Sequence, residues 1–293
     1  MAQFEAAISA MHTREIQSAL QGLVVTGAAA PPPAGAVDAE PDNLPAPLGE
    51  LLGTIKAPAA ARQLQRLIRD ARLDQPVLIT PEAAARMARP YAWLLNRVGP
   101  GGIKLTDAGH LPPPHVEAAV AELGLAGHCG GAGRRENRTP PVRHLRESAV
   151  SMGLLRKHHG HLFLTSRGSA VRADPAALWW HLAERMPVTS AVSCEVHAGL
   201  VLLTCVAARF TDTLDETIAR LLAAMGWTNR DGTPLADGAA ARAAWDTRTV
   251  LRRLGAFCDV PGRDQADRPA PDGVMFARAA LLTWPGRPAT GPG

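Results

Sequence analysis

Cationic side chains are concentrated in one stretch of the chain, between Arg134 and Arg172. This stretch holds eight arginines and one lysine against Glu136 and Glu147, which gives it a net charge of +7. The whole chain carries only +4, so the remaining residues sum to −3. Because a guanidinium group binds a phosphate or the edge of a guanine through two hydrogen bonds, the stretch predicts an interface for an anionic partner, first of all duplex DNA.

The pattern around these cations is typical of a helix followed by a hairpin. We predict a helix over residues 142–154, with apolar residues from Val142 to Met152 on its inner face and with Arg143, Arg146 and Glu147 facing outward. In a winged-helix domain such a helix enters the major groove of DNA, and the hairpin, or wing, contacts the backbone. The predicted DNA contacts are Arg134, Arg135, Arg138, Arg143, Arg146, Arg156, Lys157, His158, His159 and Arg167.

Three histidines of the predicted hairpin are the best candidates for metal ligands. Zinc requires four nitrogen or sulfur ligands in a tetrahedral arrangement, usually with regular spacing in the sequence. On a continuous strand His159 and His161 would share one face while His158 pointed to the other. No second ligand pair has a suitable spacing, so we expect neither a metal ion nor a cofactor.

Motifs of nucleophilic and phosphate-transfer catalysis do not occur in the sequence, which has no G-x-S-x-G, H-E-x-x-H or G-K-[ST] pattern. Cys194 and His197 lie three residues apart, a spacing that packing on a helix explains equally well. We therefore expect no enzymatic activity. Four tryptophans are expected to anchor helix packing rather than to bind a ligand: Trp179, Trp180, Trp227 and Trp245.

Length and composition indicate a globular protein of two or three small domains, with 293 residues, 46% of them hydrophobic and 20% charged. Only three of the 31 basic residues are lysines, a bias typical of a GC-rich bacterial genome. The four cysteines lack C-x-x-C spacing and are expected to be reduced. No signal-peptide pattern is visible, and the most apolar run, Gly199–Ala208, is about half as long as a membrane span. We therefore expect a cytoplasmic protein without a membrane partner.

Three segments, 93–123, 134–172 and 247–281, share one pattern of residues. In each, a helix ends at an apolar–glycine corner, a hairpin-like stretch follows, and a glycine precedes the next helix. These glycines are Gly109, Gly168 and Gly273, and we expect them to adopt positive φ angles that turn the chain sharply into the helix.

The predicted fold is mainly α with short β-hairpins, built as tandem winged-helix-like helical modules. Thr80 and Pro81 predict one helix start clearly, as N-cap and first helical residue. The predicted organisation is an N-terminal helix (1–25), a Pro/Ala-rich linker (26–47), a helical module with a first wing-like hairpin (48–123), a linker (124–141), a winged-helix-like module with a helical C-terminal module (142–284) and a tail (285–293).

Five short stretches carry a resemblance to a known family: Lys104–Leu111, Ala149–Leu155 with His161–Leu162, Asp174–Trp179, Leu221–Trp227 and Thr247–Gly255. They resemble the C-terminal region of actinobacterial proteins of the plasmid ORF-3-like, or transposon-passenger, family. The resemblance implies a helical, winged-helix-like architecture and a bacterial cytosolic setting, and it supplies no active site.

The sequence thus predicts a non-catalytic DNA-binding protein, regulatory or associated with a mobile element, that uses a basic winged-helix-like module. The alternative is a helical protein-interaction or scaffold module without a nucleic-acid role, in which the same arginines are solubilising charges.

Overall fold

The computed structural model describes residues 44–125, 135–188, 193–210, 213–229, 231–233, 235–258 and 267–283, and all of them belong to one compact unit. The predicted N-terminal helix, the predicted tail and much of both predicted linkers lie outside the described residues.

The described residues are mainly helical, as the sequence predicts. The predicted helix start is confirmed, because Pro81 lies in the first turn and the Thr80 hydroxyl accepts a hydrogen bond from the Ala83 N–H at 3.2 Å. The twelve α-helices of these residues are α1 (Ala46–Thr54), α2 (Pro58–Asp70), α3 (Pro81–Val98), α4 (Pro113–Glu122), α5 (Pro140–Ser151), α6 (Ser166–Val171), α7 (Pro175–Glu184), α8 (Ser193–Ala207), α9 (Leu214–Ala224), α10 (Asp237–Ala243), α11 (Trp245–Arg253) and α12 (Pro271–Thr283).

A small three-stranded antiparallel sheet lies among these helices. Its strands are β1 (Ile103–Lys104), β2 (Leu155–His158) and β3 (His161–Leu164), in the order β1-β3-β2. The hairpin predicted after α5 is therefore present. Its two turn residues, His159 and Gly160, both have positive φ angles (44° and 71°), which matches the right-handed twist of the strands that they join.

The first segment differs from the sequence-based expectation of a hairpin of its own. Its strand β1 pairs instead with β3, with Ile103 opposite Leu162 and Lys104 opposite His161. The residues that follow the turn after β1 include three consecutive prolines, 112–114, which have no N–H group to donate to a neighbouring strand. A returning strand is thus unfavourable there, and one sheet joins the first and second segments.

The recurring glycine has a different physical role in two of the three segments. Gly109 adopts the expected positive φ of 73°. Gly168 and Gly273 do not, but a Cβ atom on either would overlap a backbone carbonyl oxygen, that of Leu154 or Ala256 respectively. These two positions need glycine because the start of a helix lies directly against the preceding apolar corner.

The hydrophobic core joins α3, the helix before β1, to the C-terminal helices through α7. α7 packs against α3 and α12, and α8 packs against α9 and α12. Trp179 is fully buried, its indole N–H donates to the Met87 sulfur at 3.3 Å, and its ring meets that of Phe276 edge-on at 5.4 Å. The expectation that Trp179 anchors helix packing is confirmed.

Candidate nucleic-acid interface

Helix α5 precedes the hairpin and begins at Pro140, two residues before the predicted start. Its inner face is as predicted, because the apolar side chains from Val142 to Met152 that recur at helical spacing are buried. The Ser148 hydroxyl lies 2.9 Å from the Tyr91 hydroxyl of α3. These contacts fix the rotation of α5 about its axis and so determine which of its side chains reach solvent.

Arg146 was predicted to face outward, and this prediction is wrong. Its side chain is only 2% exposed, and its Nε lies 2.6 Å from a carboxylate oxygen of Glu136, whose side chain is 0% exposed. Glu136 also accepts the Leu111 N–H at 2.8 Å and lies 3.3 Å from the His110 ring. Arg146 follows Val142 by one helical turn at the border of the apolar face, where a buried carboxylate draws it inward.

The outward face of α5 carries little net positive charge. The Arg143 side chain is 37% exposed, and its Nε lies 4.0 Å from the carboxylate of Glu147, one turn further along the helix. Glu147 also lies 3.6 Å from the guanidinium of Arg146. A single half-exposed cation beside a carboxylate is a poor basis for strong attraction of α5 to phosphates.

Helix α11 covers one side of α5. The Arg253 guanidinium donates to the Pro141 carbonyl oxygen at 2.8 Å, and the His144 ring meets the Trp245 ring edge-on at 6.3 Å. Burial, together with the neighbouring cations Arg143 and Arg253, lowers the pKa of His144. Trp245 is itself 48% exposed, so the expectation that it is a core residue is wrong.

The hairpin presents its four predicted DNA contacts to solvent. Arg156, Lys157, His158 and His159 are all exposed. Arg156 and His158 share the face of the sheet that carries Phe163, and the Arg156 guanidinium carbon lies 5.5 Å from the centre of that ring. The hairpin is therefore a cationic surface with an aromatic ring at its centre.

Lys157 and His158 lie on opposite faces of the sheet. Lys157 points away from the face that carries Arg156 and Phe163, and its Nζ lies 3.4 Å from the Gly109 carbonyl oxygen. Burial lowers the pKa of Lys157, and the nearby positive charge of Arg146 lowers it further. His158 and His161 are direct cross-strand partners and share a face, because the chain reverses at His159 and Gly160. The prediction that His158 points away from His161 is therefore wrong.

The remaining predicted contacts fall into three situations. Arg135 and Arg138 flank or belong to the short 3-10 helix Glu136–Arg138 and are exposed. Arg167 is half-exposed and is held by the protein itself, since its Nε lies 3.1 Å from Nδ1 of His181 and its Nη2 lies 3.8 Å from Glu184. Arg134 lies outside the described residues.

His181 explains why Arg167 is held. The imidazole is buried, and its Nε2 lies 2.9 Å from the Met152 carbonyl oxygen. Nε2 must therefore carry the proton, which leaves Nδ1 free to accept from the Arg167 guanidinium. The pKa of His181 is lowered to about 4, mainly by burial and with a contribution from Arg167 and Arg185, and the hydrogen bond to Met152 opposes this shift.

Other chemistry receives no support among the residues that the structure describes. No group of three or more histidine, cysteine or acidic residues there is arranged to hold a metal ion. Burial and Glu195 raise the pKa of Cys194, which disfavours the nucleophilic thiolate, and His197 accepts the Trp227 indole N–H at 3.0 Å. Within the same residues, no helix is long and apolar enough to cross a membrane.

Three residues on strands β1 and β3 that lie on the exposed face of the sheet are absent from the contacts predicted from the sequence. Lys104, His161 and Phe163 lie beside Arg156 and His158 on one face of the sheet. The alternation of side chains along β3 predicts that His161 and Phe163 share a face, but the place of Lys104 depends on the long-range pairing of β1.

Comparison of the chain with family models, with curated proteins and with solved structures gave no match.

Proposed function

We propose that residues 81–164 form a single winged-helix unit. The support is the order of its elements, α3, β1, α4, α5, β2 and β3, together with the strand order β1-β3-β2. This is the helix–strand–helix–helix–strand–strand arrangement of a winged helix, in which α5 takes the position of the recognition helix and the β2–β3 hairpin that of the wing. The unit then has one wing in place of the two that the sequence pattern predicts, and the first segment contributes the outer strand β1 to its sheet.

We further propose that this unit binds duplex DNA without catalysing a reaction, in a regulatory or mobile-element-associated role. The observation that carries the proposal is the wing, which exposes Arg156, Lys157, His158 and His159. No aspartate or glutamate occurs in the sequence between Glu147 and Asp174, so the hairpin itself carries no carboxylate. A cationic hairpin without carboxylates is suited to the phosphate backbone of DNA.

The proposed contacts are mainly to phosphate rather than to bases. Arg146 is buried and Arg143 lies near Glu147, so α5 offers few donors to the base edges of the major groove. Arg135 and Arg138 precede α5 and are free to reach the backbone on the same side as the N-terminal end of that helix. We therefore expect binding with little dependence on DNA sequence and a strong dependence on salt.

A triple variant tests this proposal. Arg135→Ala, Arg138→Ala and Arg156→Ala together remove three of the proposed phosphate contacts. We expect a marked loss of affinity for a fluorescein-labelled duplex in anisotropy titrations, and a slope of log K against log salt that is smaller by roughly 3.

The matched control changes three exposed arginines of α2, Arg62, Arg66 and Arg69, to alanine. These residues lie outside the proposed winged-helix unit, and the control removes the same formal charge. If both triple variants lost the same affinity for the duplex, net charge alone would explain the effect and the proposed site would be wrong. The proposal would also be overturned if the wild-type protein did not bind the duplex at low salt.

A second candidate function, protein interaction, is favoured by one observation. Trp245 is 48% exposed beside His144, so a large aromatic ring lies at the junction of α5 and α11. This candidate predicts no salt-dependent duplex binding. Its simplest form, association with a second copy of the chain, is tested by sedimentation velocity of the wild type against Trp245→Ala.

A further inference from the structure

The face of the sheet that points away from the core has an unusual set of side chains, which we call the outer sheet face: Lys104, Arg156, His158, His161 and Phe163. Leu155 and Leu162 point to the opposite side and are buried. Side chains that alternate in this way leave one side of a sheet in the core and the other in solvent. Lys104, Arg156 and His158 are exposed, and His161 and Phe163 are partly exposed.

The outer sheet face forms two rows across the three strands. In one row His161, on the central strand, lies between Lys104 and His158. In the other row Phe163 lies opposite Arg156, and on the β1 side its ring occupies the space where Gly102 has no side chain. A Cβ atom on Gly102 would lie 2.6 Å from the ring, so the glycine permits this position.

Three planar groups lie next to one another on this face. The His161 and Phe163 rings are stacked, with centres 5.6 Å apart and planes 18° apart. The guanidinium carbon of Arg156 lies 5.5 Å from the centre of the Phe163 ring on the neighbouring strand. Imidazole, phenyl and guanidinium groups are each a surface on which a nucleobase stacks.

The charges around this row also fit a nucleic-acid strand. Lys104 and Arg156 lie on the two edge strands, and none of the sheet residues is acidic. Proteins that bind single strands combine aromatic side chains, on which bases stack, with flanking cations that bind phosphates. A face about 10 Å across, two strand spacings wide, has room for one or two nucleotides.

We propose that the outer sheet face binds single-stranded nucleic acid, with a base stacked on the His161–Phe163–Arg156 row and phosphates bound by Lys104. The inference deepens the proposed function, since it rests on nucleic-acid binding by the same unit, and it names unpaired strand as the ligand of this face.

The test compares two ligands that carry the same backbone charge. An oligothymidylate of about 12 nucleotides and its abasic counterpart differ only in the bases. We expect the wild-type protein to bind the oligothymidylate roughly tenfold more tightly, because stacking is lost in the abasic strand. Equal affinities would overturn the proposal and leave only a surface for polyanions.

Two variants locate the effect on this face. Arg156→Lys keeps the charge and removes the planar group, and Phe163→Leu removes the ring at the centre of the row. We expect each to lose most of the preference for the oligothymidylate, whereas Lys104→Ala weakens binding of both ligands by the same factor. Far-UV circular dichroism checks the fold of Phe163→Leu, and His161→Gln serves as a further variant at a partly exposed position.

The exposed Arg66→Ala of α2 is the control and should bind as the wild type does. Unchanged preference in Arg156→Lys and His161→Gln would overturn the proposal. Duplex titrations run in parallel separate the two proposals. Salt-dependent duplex binding without a preference for the oligothymidylate contradicts only the outer sheet face, whereas the reverse result contradicts only the duplex proposal.

Discussion

The buried ion pair between Arg146 and Glu136 leads to the sharpest prediction, because sequence and structure assign Arg146 opposite roles. The sequence pattern predicts a DNA contact, whereas the structure places the guanidinium in the protein, 2.6 Å from the Glu136 carboxylate. Arg146→Met removes the charge while it keeps a long apolar side chain. Among the described residues, Glu136 then retains the Leu111 N–H and the nearby His110 ring as polar partners.

The expected cost follows from the burial of both partners. The Arg146 and Glu136 side chains are 2% and 0% exposed, so neither charge is hydrated when the other is removed. Removing one partner of such a pair costs about 3–5 kcal/mol, because it leaves an uncompensated buried charge. For a domain of this size the loss corresponds to a decrease in melting temperature of roughly 10 °C.

Urea unfolding followed by circular dichroism measures this cost. Glu136→Gln, which keeps an acceptor for the Leu111 N–H, should be destabilised to a similar extent. In the double variant the two losses should not add, and a coupling free energy of about 2 kcal/mol or more is expected.

The outcome that refutes this reasoning is equally specific. If Arg146→Met loses less than about 1 kcal/mol of stability and instead weakens duplex binding as much as Arg156→Ala does, then Arg146 is the exposed contact that the sequence predicts.

Three further predictions concern stability. Gly168→Ala should cost about 2–3 kcal/mol of unfolding free energy, because the new Cβ overlaps the Leu154 carbonyl oxygen. The control Gly49→Ala, in α1 with open space around its Cα, should gain about 0.5–1 kcal/mol in the same urea assay, and equal effects of the two substitutions would contradict the close approach at Gly168. The pKa of His181 is lowered to about 4 in the folded protein, so the imidazole binds a proton more readily in the unfolded chain. The free energy of unfolding should therefore fall by roughly 2–3 kcal/mol as the pH drops from about 6.5 to about 4.5, and His181→Gln should lose this part of the pH dependence. Thr80→Ala should cost about 0.5–2 kcal/mol and Thr80→Asn much less, and equal melting temperatures for both would contradict the cap.

Local chemistry made several features predictable from the sequence. The start of α3 follows from Thr80 and Pro81, since an N-cap hydroxyl and a proline act within one turn. The inner face of α5 follows from apolar residues at helical spacing, and the β2–β3 hairpin follows from a short reversal at His159 and Gly160 between two extended stretches. Each of these inferences needs only neighbours within a few residues along the chain.

By itself, then, the sequence determined the mainly helical class, the position of the β2–β3 hairpin and the charges that this hairpin carries. Only the tertiary structure decided that Arg146 is buried, that β1 completes the sheet and that Lys104 lies beside His161. The physical reason is that these features depend on partners outside the helix or strand concerned. The burial of Arg146 requires a carboxylate brought by a separate turn, and the outer sheet face exists only because a strand from before α4 pairs with one from after α5.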